Sequence, residues 1–187
     1  EDRHGRAGFP TVLRAIARGW REERAKLVAE GERALGLLRA REEGPGETAA
    51  RDALVEAAGR AFEEGFRHYH EGFDAANGGF GGAPKFPRAS NLSFLFRVAA
   101  LQGVGSELGV ESVRLATATL RAMARGGIHD HVGGGFHRYS VDDGWLVPHF
   151  EKMLYDQAQI ALNCLEARQA TGDERYGWMA RDILGYA

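Results

Sequence analysis

Ser90-Asn91-Leu92-Ser93-Phe94-Leu95-Phe96-Arg97-Val98-Ala99-Ala100-Leu101 is the stretch that decides the fold class. Leu92, Phe94, Leu95, Phe96, Val98 and Leu101 set apolar side chains on nearly every side of a helix, which predicts an inner, buried one. Ser93 and Arg97 interrupt the run, and it falls far short of the roughly 20 apolar residues of a membrane span.

The segments around it follow a period of 3.6 rather than 2. Downstream, Val110, Val113, Ala116, Leu120 and Met123 share one face of a helix expected from about Ser106 to Arg125. Upstream, Leu54, Ala57, Ala58, Ala61, Phe62 and Phe66 share a face between about Thr48, a plausible N-cap, and Glu71. From Pro10 onward, Val12, Leu13, Ile16, Trp20, Leu27, Val28, Leu35 and Leu38 mark one long amphipathic helix or a pair, ended by Gly44-Pro45-Gly46. Towards the C-terminus a helix is expected from about His149 to Thr171, with Pro148 suited to its first turn. Gly172-Asp173 then makes a turn, and a last helix opens near Glu174.

Two glycine-rich stretches separate these helices. Asn77-Gly78-Gly79-Phe80-Gly81-Gly82 cannot continue a helix, because each interior glycine costs ~1 kcal/mol relative to alanine. The second runs from Gly126 to about Pro148, where Val132, Phe136, Tyr139, Val141, Trp145 and Val147 predict a short hairpin around Asp142-Asp143-Gly144. The expected class is therefore all-α: helical hairpins in an inner and an outer layer, closed into a ring or stacked. No repeat is legible along the chain.

Composition narrows the function. The 187 residues hold 24 Lys+Arg against 26 Asp+Glu, a net charge of −2, with 44% hydrophobic residues. That suits a globular domain and argues against nucleic-acid binding, which needs a basic footprint. Cys164 is the one cysteine, so no intrachain disulfide or cysteine-rich zinc site can form, and a reducing, cytoplasmic setting is expected. Neither a membrane span nor a cofactor motif is present, and no cofactor is expected. Glu1 at the start and a helical pattern still running at Ala187 suggest an excerpt of a longer polypeptide.

Chemistry concentrates in and just after the second glycine-rich stretch: from His129 to Asp156 the chain carries His129, Asp130, His131, His137, Arg138, Asp142, Asp143, His149, Glu151, Lys152, Tyr155 and Asp156. At a helix start, His149 would be held neutral and competent as a base, and Glu151 in the first turn would be favoured by the same dipole. On that helix Glu151 and Tyr155 would share a face and Lys152 would pair with Asp156. A histidine beside a carboxylate can move a proton to or from a substrate; capping and dipole complementation explain the same residues. His129 and His131 have the look of metal ligands, but a third would have to come from His137 or from His149 and Glu151, nothing in the spacing fixes that geometry, and no metal is expected. Arg138 can grip a carboxylate or phosphate, or pair with Asp142 or Asp143. Lys85 precedes no Ser or Thr, so Asn77–Pro87 is not a phosphate loop of the Walker type. His68 and His70 suit a helix C-terminus.

Three strings occur in order: Gly78-Gly79-Phe80-Gly81-Gly82-Ala83-Pro84-Lys85-Phe86-Pro87, Gly133-Gly134-Gly135-Phe136-His137-Arg138-Tyr139-Ser140 and Pro148-His149-Phe150-Glu151-Lys152-Met153-Leu154-Tyr155-Asp156. With them the chain, from about Phe9 to Ala187, resembles the thioredoxin-domain-containing family of spermatogenesis-associated protein 20. The resemblance implies an N-terminal thioredoxin-like domain followed by an α/α toroid similar to N-acylglucosamine 2-epimerase and the six-hairpin glycosidases. On that basis residues 1–45 are a linker and first helix after a thioredoxin-like domain missing here, and residues 46–187 are the first half of the toroid. Both glycine-rich loops are expected at one end of the ring, over its cavity.

The function expected from that fold is carbohydrate-directed acid–base chemistry. His149 would be the general base or acid and Glu151 its partner carboxylate. Arg138, Tyr155, His137 and Asp156 would bind substrate, and Trp145, Phe80 and Phe86 would form an aromatic platform. The expected partners are a small molecule, a sugar in the first instance, and the remainder of the parent chain. The alternative is a non-catalytic binding module coupled to the redox domain.

Overall fold

The computed structural model describes residues 7–42 and 51–187, apart from the side chains of 40–42, 51 and 52. Within them lie seven helices: α1 (Phe9–Glu22), α2 (Arg24–Glu42), α3 (Arg51–Glu71), α4 (Ala89–Gln102), α5 (Glu107–Arg125), α6 (Leu154–Thr171) and α7 (Glu174–Tyr186). The all-α expectation holds. The chain divides into two compact units, residues 1–55 and 56–187.

In the first unit the amphipathic stretch is a pair of helices rather than one. Its break falls at Glu23, whose N–H still closes onto Gly19 O at 2.7 Å, while the Arg24 guanidinium folds over the Trp20 ring. Pro10 sits in the first turn of α1, where its missing N–H costs nothing. The predicted stop at Gly44-Pro45-Gly46 and the predicted cap Thr48 lie outside the described residues.

The second unit is built on α4. Leu92, Leu95, Phe96, Val98 and Ala99 are buried there, as an inner helix requires, whereas Leu101 at its end is exposed. Leu115, Ala116, Leu120 and Met123 of α5 pack against it, followed by Ile160, Cys164 and Ala167 of α6 and Tyr176, Met179 and Ile183 of α7. Each of the leucine, isoleucine, valine, phenylalanine and methionine side chains among them contributes roughly 1.5–3 kcal/mol by leaving water, the alanines less. Helices α4 and α5 form one hairpin, α6 and α7 a second, and α4 also packs on α6. Local signals set two of the helix starts: Ser106 Oγ accepts from Gly109 N–H, and the Asp173 carboxylate accepts from Arg175 N–H.

The expected start of the next helix at His149 is wrong. Helix α6 begins at Leu154, and residues 148–153 are non-helical, with a tight turn closed by Glu151 N–H onto His149 O at 2.7 Å. Their backbone groups are already taken: His149 N–H donates to Tyr139 O, and Arg138 N–H donates to Glu151 O. A helix would forfeit both bonds. The predicted hairpin exists only as isolated bridges, with Ser140 opposite Pro148 and Val141 N–H donating to Val147 O. Asp142 organises its turn by accepting N–H bonds from Gly144, Leu146 and Val147.

A repeat absent from the sequence reading is present in the structure. In the first loop the Asp74 carboxylate accepts from Ala76 and Asn77 N–H, Asp74 O accepts from Gly78 N–H, and Asp74 N–H donates to Gly79 O. In the second loop Asp130 does the same with Val132, Gly133, Gly134 and Gly135. Phe73 bridges Phe80 in the first, and His129 bridges Phe136 in the second. Each aspartate also receives a lysine, Lys85 at 2.6 Å and Lys152 at 2.8 Å. Each loop is followed by a helical hairpin whose second helix holds it: Thr119 of α5 accepts from Gly79 N–H, and Asp182 of α7 accepts from Gly135 N–H.

Candidate functional site

The two loops are zipped together. Lys85 and Ser140 exchange both backbone hydrogen bonds, at 2.7 and 2.8 Å. Trp145 Nε1 donates to Asn77 O, and Ala83 N–H donates to an Asp143 carboxylate oxygen. At the centre of the seam stands Lys85, fully buried. Its ammonium donates to Asp74 and to Asp143 O at 3.0 Å and lies 5.1 Å from the Trp145 ring centroid. A buried cation survives only when its charge and protons are matched, as here. Burial pushes the Asp74 carboxyl up, but Lys85 and the Asn77 bonds outweigh it and hold the carboxyl at about 2.

Beside this seam opens a cleft of about 400 Å³, lined by Phe86, Pro87, Arg88, Ser90, Asn91, Arg138, Tyr155 and Asp156. Three stretches of chain supply it: the exit of the first loop with the start of α4, the hairpin strand at Arg138, and the first turn of α6. Arg88 is held there with φ at +46°, a conformation that costs a non-glycine residue of order 1–3 kcal/mol. Burial pushes the Asp156 carboxyl above its ordinary range, with Arg138 pulling the other way. Every other carboxyl with a resolved shift among the described residues is lowered.

At the edge of the cleft Arg138 Nη1 meets Glu151 Oε2 at 3.0 Å, and His149 Nε2 stands 3.6 Å from the same oxygen. The His149 ring stacks on Tyr139 at 4.6 Å and 8°, and Tyr139 lies against Phe86. Backbone pairing of residues 138–141 with 147–151 sets this register, so the His149–Glu151 dyad belongs to a hairpin and not to a helix end. Its dipole-based rationale falls with the helix.

The structure thus brings together Arg138, Glu151, His149, Phe86, Tyr155 and Asp156. It does not add Trp145 or Phe80 to them. Expected as exposed platform rings, both are buried: Trp145 fills the seam, and Phe80 packs edge-on against Tyr69 and Phe73. Neither offers a free face. His137 is buried against Phe150, where burial and the Lys152 charge depress its pKa against the pull of Asp130. Lys152 pairs with Asp130, not with Asp156. His129 binds Asp182 and His131 binds Gly126 O; among the described residues no three His, Cys, Asp or Glu side chains converge to hold a metal. His68 and His70 do close the last turn of α3. Arg88, Ser90, Asn91 and Lys85 were missed. The one available signal was a charged residue directly after each proline at the exit of the first loop, Lys85 after Pro84 and Arg88 after Pro87. No described helix is long and apolar enough to cross a membrane.

No family model matches the chain. Along its whole length it is similar to spermatogenesis-associated protein 20, at 43% identity over 186 residues for the protein of Homo sapiens and 41% over 187 for that of Mus musculus. It is also 44% identical over 160 residues, 86% of its length, to the uncharacterized protein B0495.5 of Caenorhabditis elegans. The chain spans 23% of the human and mouse proteins and 21% of the nematode one.

Proposed function

For a chain homologous along its whole length to one segment of spermatogenesis-associated protein 20, we propose that the cleft beside the loop seam binds a small hydroxylated molecule of the carbohydrate class and acts on it by proton transfer. The observation that carries this is Asp156: a carboxyl raised by burial, lining a cleft together with an arginine and a tyrosine. A titratable group perturbed by desolvation in a concave site is the usual mark of acid–base work.

In this reading Asp156 donates the proton, and the His149–Glu151 dyad receives one at the edge of the cleft. Arg138 fixes the Glu151 carboxylate and, with Arg88 and Tyr155, orients ligand hydroxyls. Phe86 supplies the apolar face on which a sugar ring rests. Residues 46–187 are the first half of an α/α toroid and residues 1–45 lead into it from a thioredoxin-like domain, in a cytoplasmic protein. The α4–α5 and α6–α7 hairpins, each preceded by the same loop, support the toroid.

A thermal-shift screen of this chain against monosaccharides, amino sugars and short oligosaccharides tests the proposal. A ligand at 100 times its Kd adds ~2.7 kcal/mol of stability, a clear rise in Tm. The expected result is a rise with at least one sugar that weakens in Arg138→Ala. Conversion of that sugar should be lost in Asp156→Asn while its binding remains. No rise with any sugar overturns the proposal. A second reading, a binding module without turnover, has one observation in its favour: Arg138 already occupies the Glu151 carboxylate. Binding without conversion, equal in wild type and Asp156→Asn, would select it.

A further inference from the structure

Away from that cleft, α5 carries Arg114, Arg121 and Arg125 along one side, and two smaller clefts open on either side of Arg121 and Arg125. One, of about 270 Å³, is bounded by the first loop at Phe73 and Ala75–Gly78 together with Arg114, Ala118 and Ala122. The other, of about 200 Å³, is bounded by Ala124 and by Arg175, Tyr176, Trp178 and Met179 of α7. No acidic side chain lines either cleft.

The four arginines are not equivalent. Glu111 grips Arg114 by two bonds of 2.6 and 2.7 Å, and Asp173 grips Arg175 at 2.6 Å, so those charges are spent. Arg121 is held by neutral oxygens only: its Nε donates to Tyr176 Oη at 2.8 Å, and its Nη2 donates to Thr117 Oγ1 at 3.1 Å. Asp173 feels its charge but makes no bond to it. Arg125, one turn further on, has no ion pair among the described residues; the nearby end of α5 favours a cation there. Two guanidiniums four residues apart repel each other when nothing lies between them. Arg121 is thus fixed in direction while keeping its charge, an arrangement pre-organised for an anion.

We infer that Arg121 and Arg125 form a second binding site, for a small organic anion. Its phosphate or carboxylate group lies between the two guanidiniums, and its apolar body lies in the cleft of Tyr176, Trp178, Met179 and Ala124. The planar fork of arginine suits both anionic groups. The neighbouring cleft is apolar and bounded by aromatic rings, which selects an aryl or short alkyl group and not a bare ion. The site is separate from the Asp156 cleft and shares no residue with it.

Calorimetric titration of the whole chain with phenyl phosphate, benzoate and inorganic phosphate tests this, with Arg125→Gln and Arg121→Gln as variants. Arg125 holds no other side chain, so Arg125→Gln keeps the fold even if Arg121→Gln, which loses the Tyr176 bond, does not. The expected result is that phenyl phosphate or benzoate binds at least tenfold more tightly than inorganic phosphate. That binding should weaken at least tenfold in Arg125→Gln, weaken with added salt, and be unchanged in Asp156→Asn. Phenyl phosphate against benzoate identifies the anionic group. The inference is overturned if neither organic anion binds, if inorganic phosphate binds as well as they do, or if Arg125→Gln binds like wild type.

Discussion

Thr119 and Asp182 hold corresponding glycines with different oxygens: the Thr119 hydroxyl accepts from Gly79 N–H at 3.0 Å, and the Asp182 carboxylate accepts from Gly135 N–H at 3.0 Å. The second anchor also meets His129 Nε2 at 2.9 Å. The two loops share one backbone design, yet one is tied to a neutral group and the other to a charged one. Hydrogen bonds to charged groups contribute about 1.5–3 kcal/mol and neutral ones about 0.5–1.5 kcal/mol. Asp182→Asn should therefore lower stability by more than Thr119→Val. Urea unfolding of both variants measures the difference, and equal or reversed costs would contradict it.

Lys85 is the second test. Replacing it with Met leaves the Asp74 carboxylate facing a buried seam without its cation. Breaking one partner of a buried ion pair costs about 3–5 kcal/mol. Adding Asp74→Asn to Lys85→Met removes the stranded charge and keeps an oxygen for the Ala76 and Asn77 N–H groups, so part of the loss should return. A double variant less stable than Lys85→Met alone would show that Asp74 acts chiefly through something other than the lysine.

Acid should weaken the fold through the same pair. The Asp74 carboxyl goes from an ordinary 3.8 to about 2 in the folded chain. A lowered folded value means the contribution is fully present above 3.8 and is lost as pH falls towards about 2. Asp182 and Asp142 shift in the same direction: burial raises each, and the bonds they accept prevail. Asp130 is held well below the usual range by the Gly133 N–H, Lys152 and Val132 N–H. The urea midpoint should decline gently as pH falls below 6.5, where the unfolded chain protonates His137 first, and fall steeply below about pH 4.5 as these carboxylates are protonated. A midpoint that stays level through that window would mean these carboxylates are not what acid attacks.

Gly79 and Gly81 separate backbone strain from crowding. Both have positive φ, +85° and +79°. A Cβ on Gly79 would stand 2.6 Å from Trp145 Cζ2 and 3.2 Å from Lys85 Cε, whereas one on Gly81 meets nothing within 4 Å. Gly81→Ala should cost only the conformational penalty, about 1–2 kcal/mol. Gly79→Ala should cost clearly more, because the seam must open to admit the methyl group. Thermal unfolding of the two variants decides it, and similar losses would mean that the seam yields easily.

The helices were legible because their signals are local. Ser106 and Asp173 announce helix starts within four residues of themselves, and the apolar surround of Leu92–Val98 needs no partner to be read. What failed depended on pairing across the chain. Pro148 is as good a first-turn residue as any, but the bonds from 148–151 to 138–141 consume the backbone that a helix would need. Trp145 and Phe80 looked like platform rings because glycine-rich context suggests exposure; Trp145 is buried by a seam between segments more than 60 residues apart, and Phe80 by the rings of Tyr69 and Phe73 at the end of α3 and just past it. The repeat was present as Asp74-Ala75-Ala76-Asn77-Gly78-Gly79-Phe80 and Asp130-His131-Val132-Gly133-Gly134-Gly135-Phe136, 56 positions apart. Only four of seven positions match, and the lysines that complete each copy lie at unequal distances. Within the site, Arg138, Tyr155 and Asp156 could be suspected from residue type, but Asp156 stands out only once burial is known.

Trp145 has one more consequence. Its indole is almost wholly excluded from water, and its N–H is bound to the opposite loop at Asn77 O. The chain therefore has an optical gauge built into the junction of its two loops. While they remain closed, this chromophore emits from a dry, hydrogen-bonded setting. Any event that parts them, even with every helix intact, exposes it and moves its emission to longer wavelength. Trp20 and Trp178 are already half exposed and would supply a nearly constant background. The opening of the junction can thus be timed in solution without attaching a label.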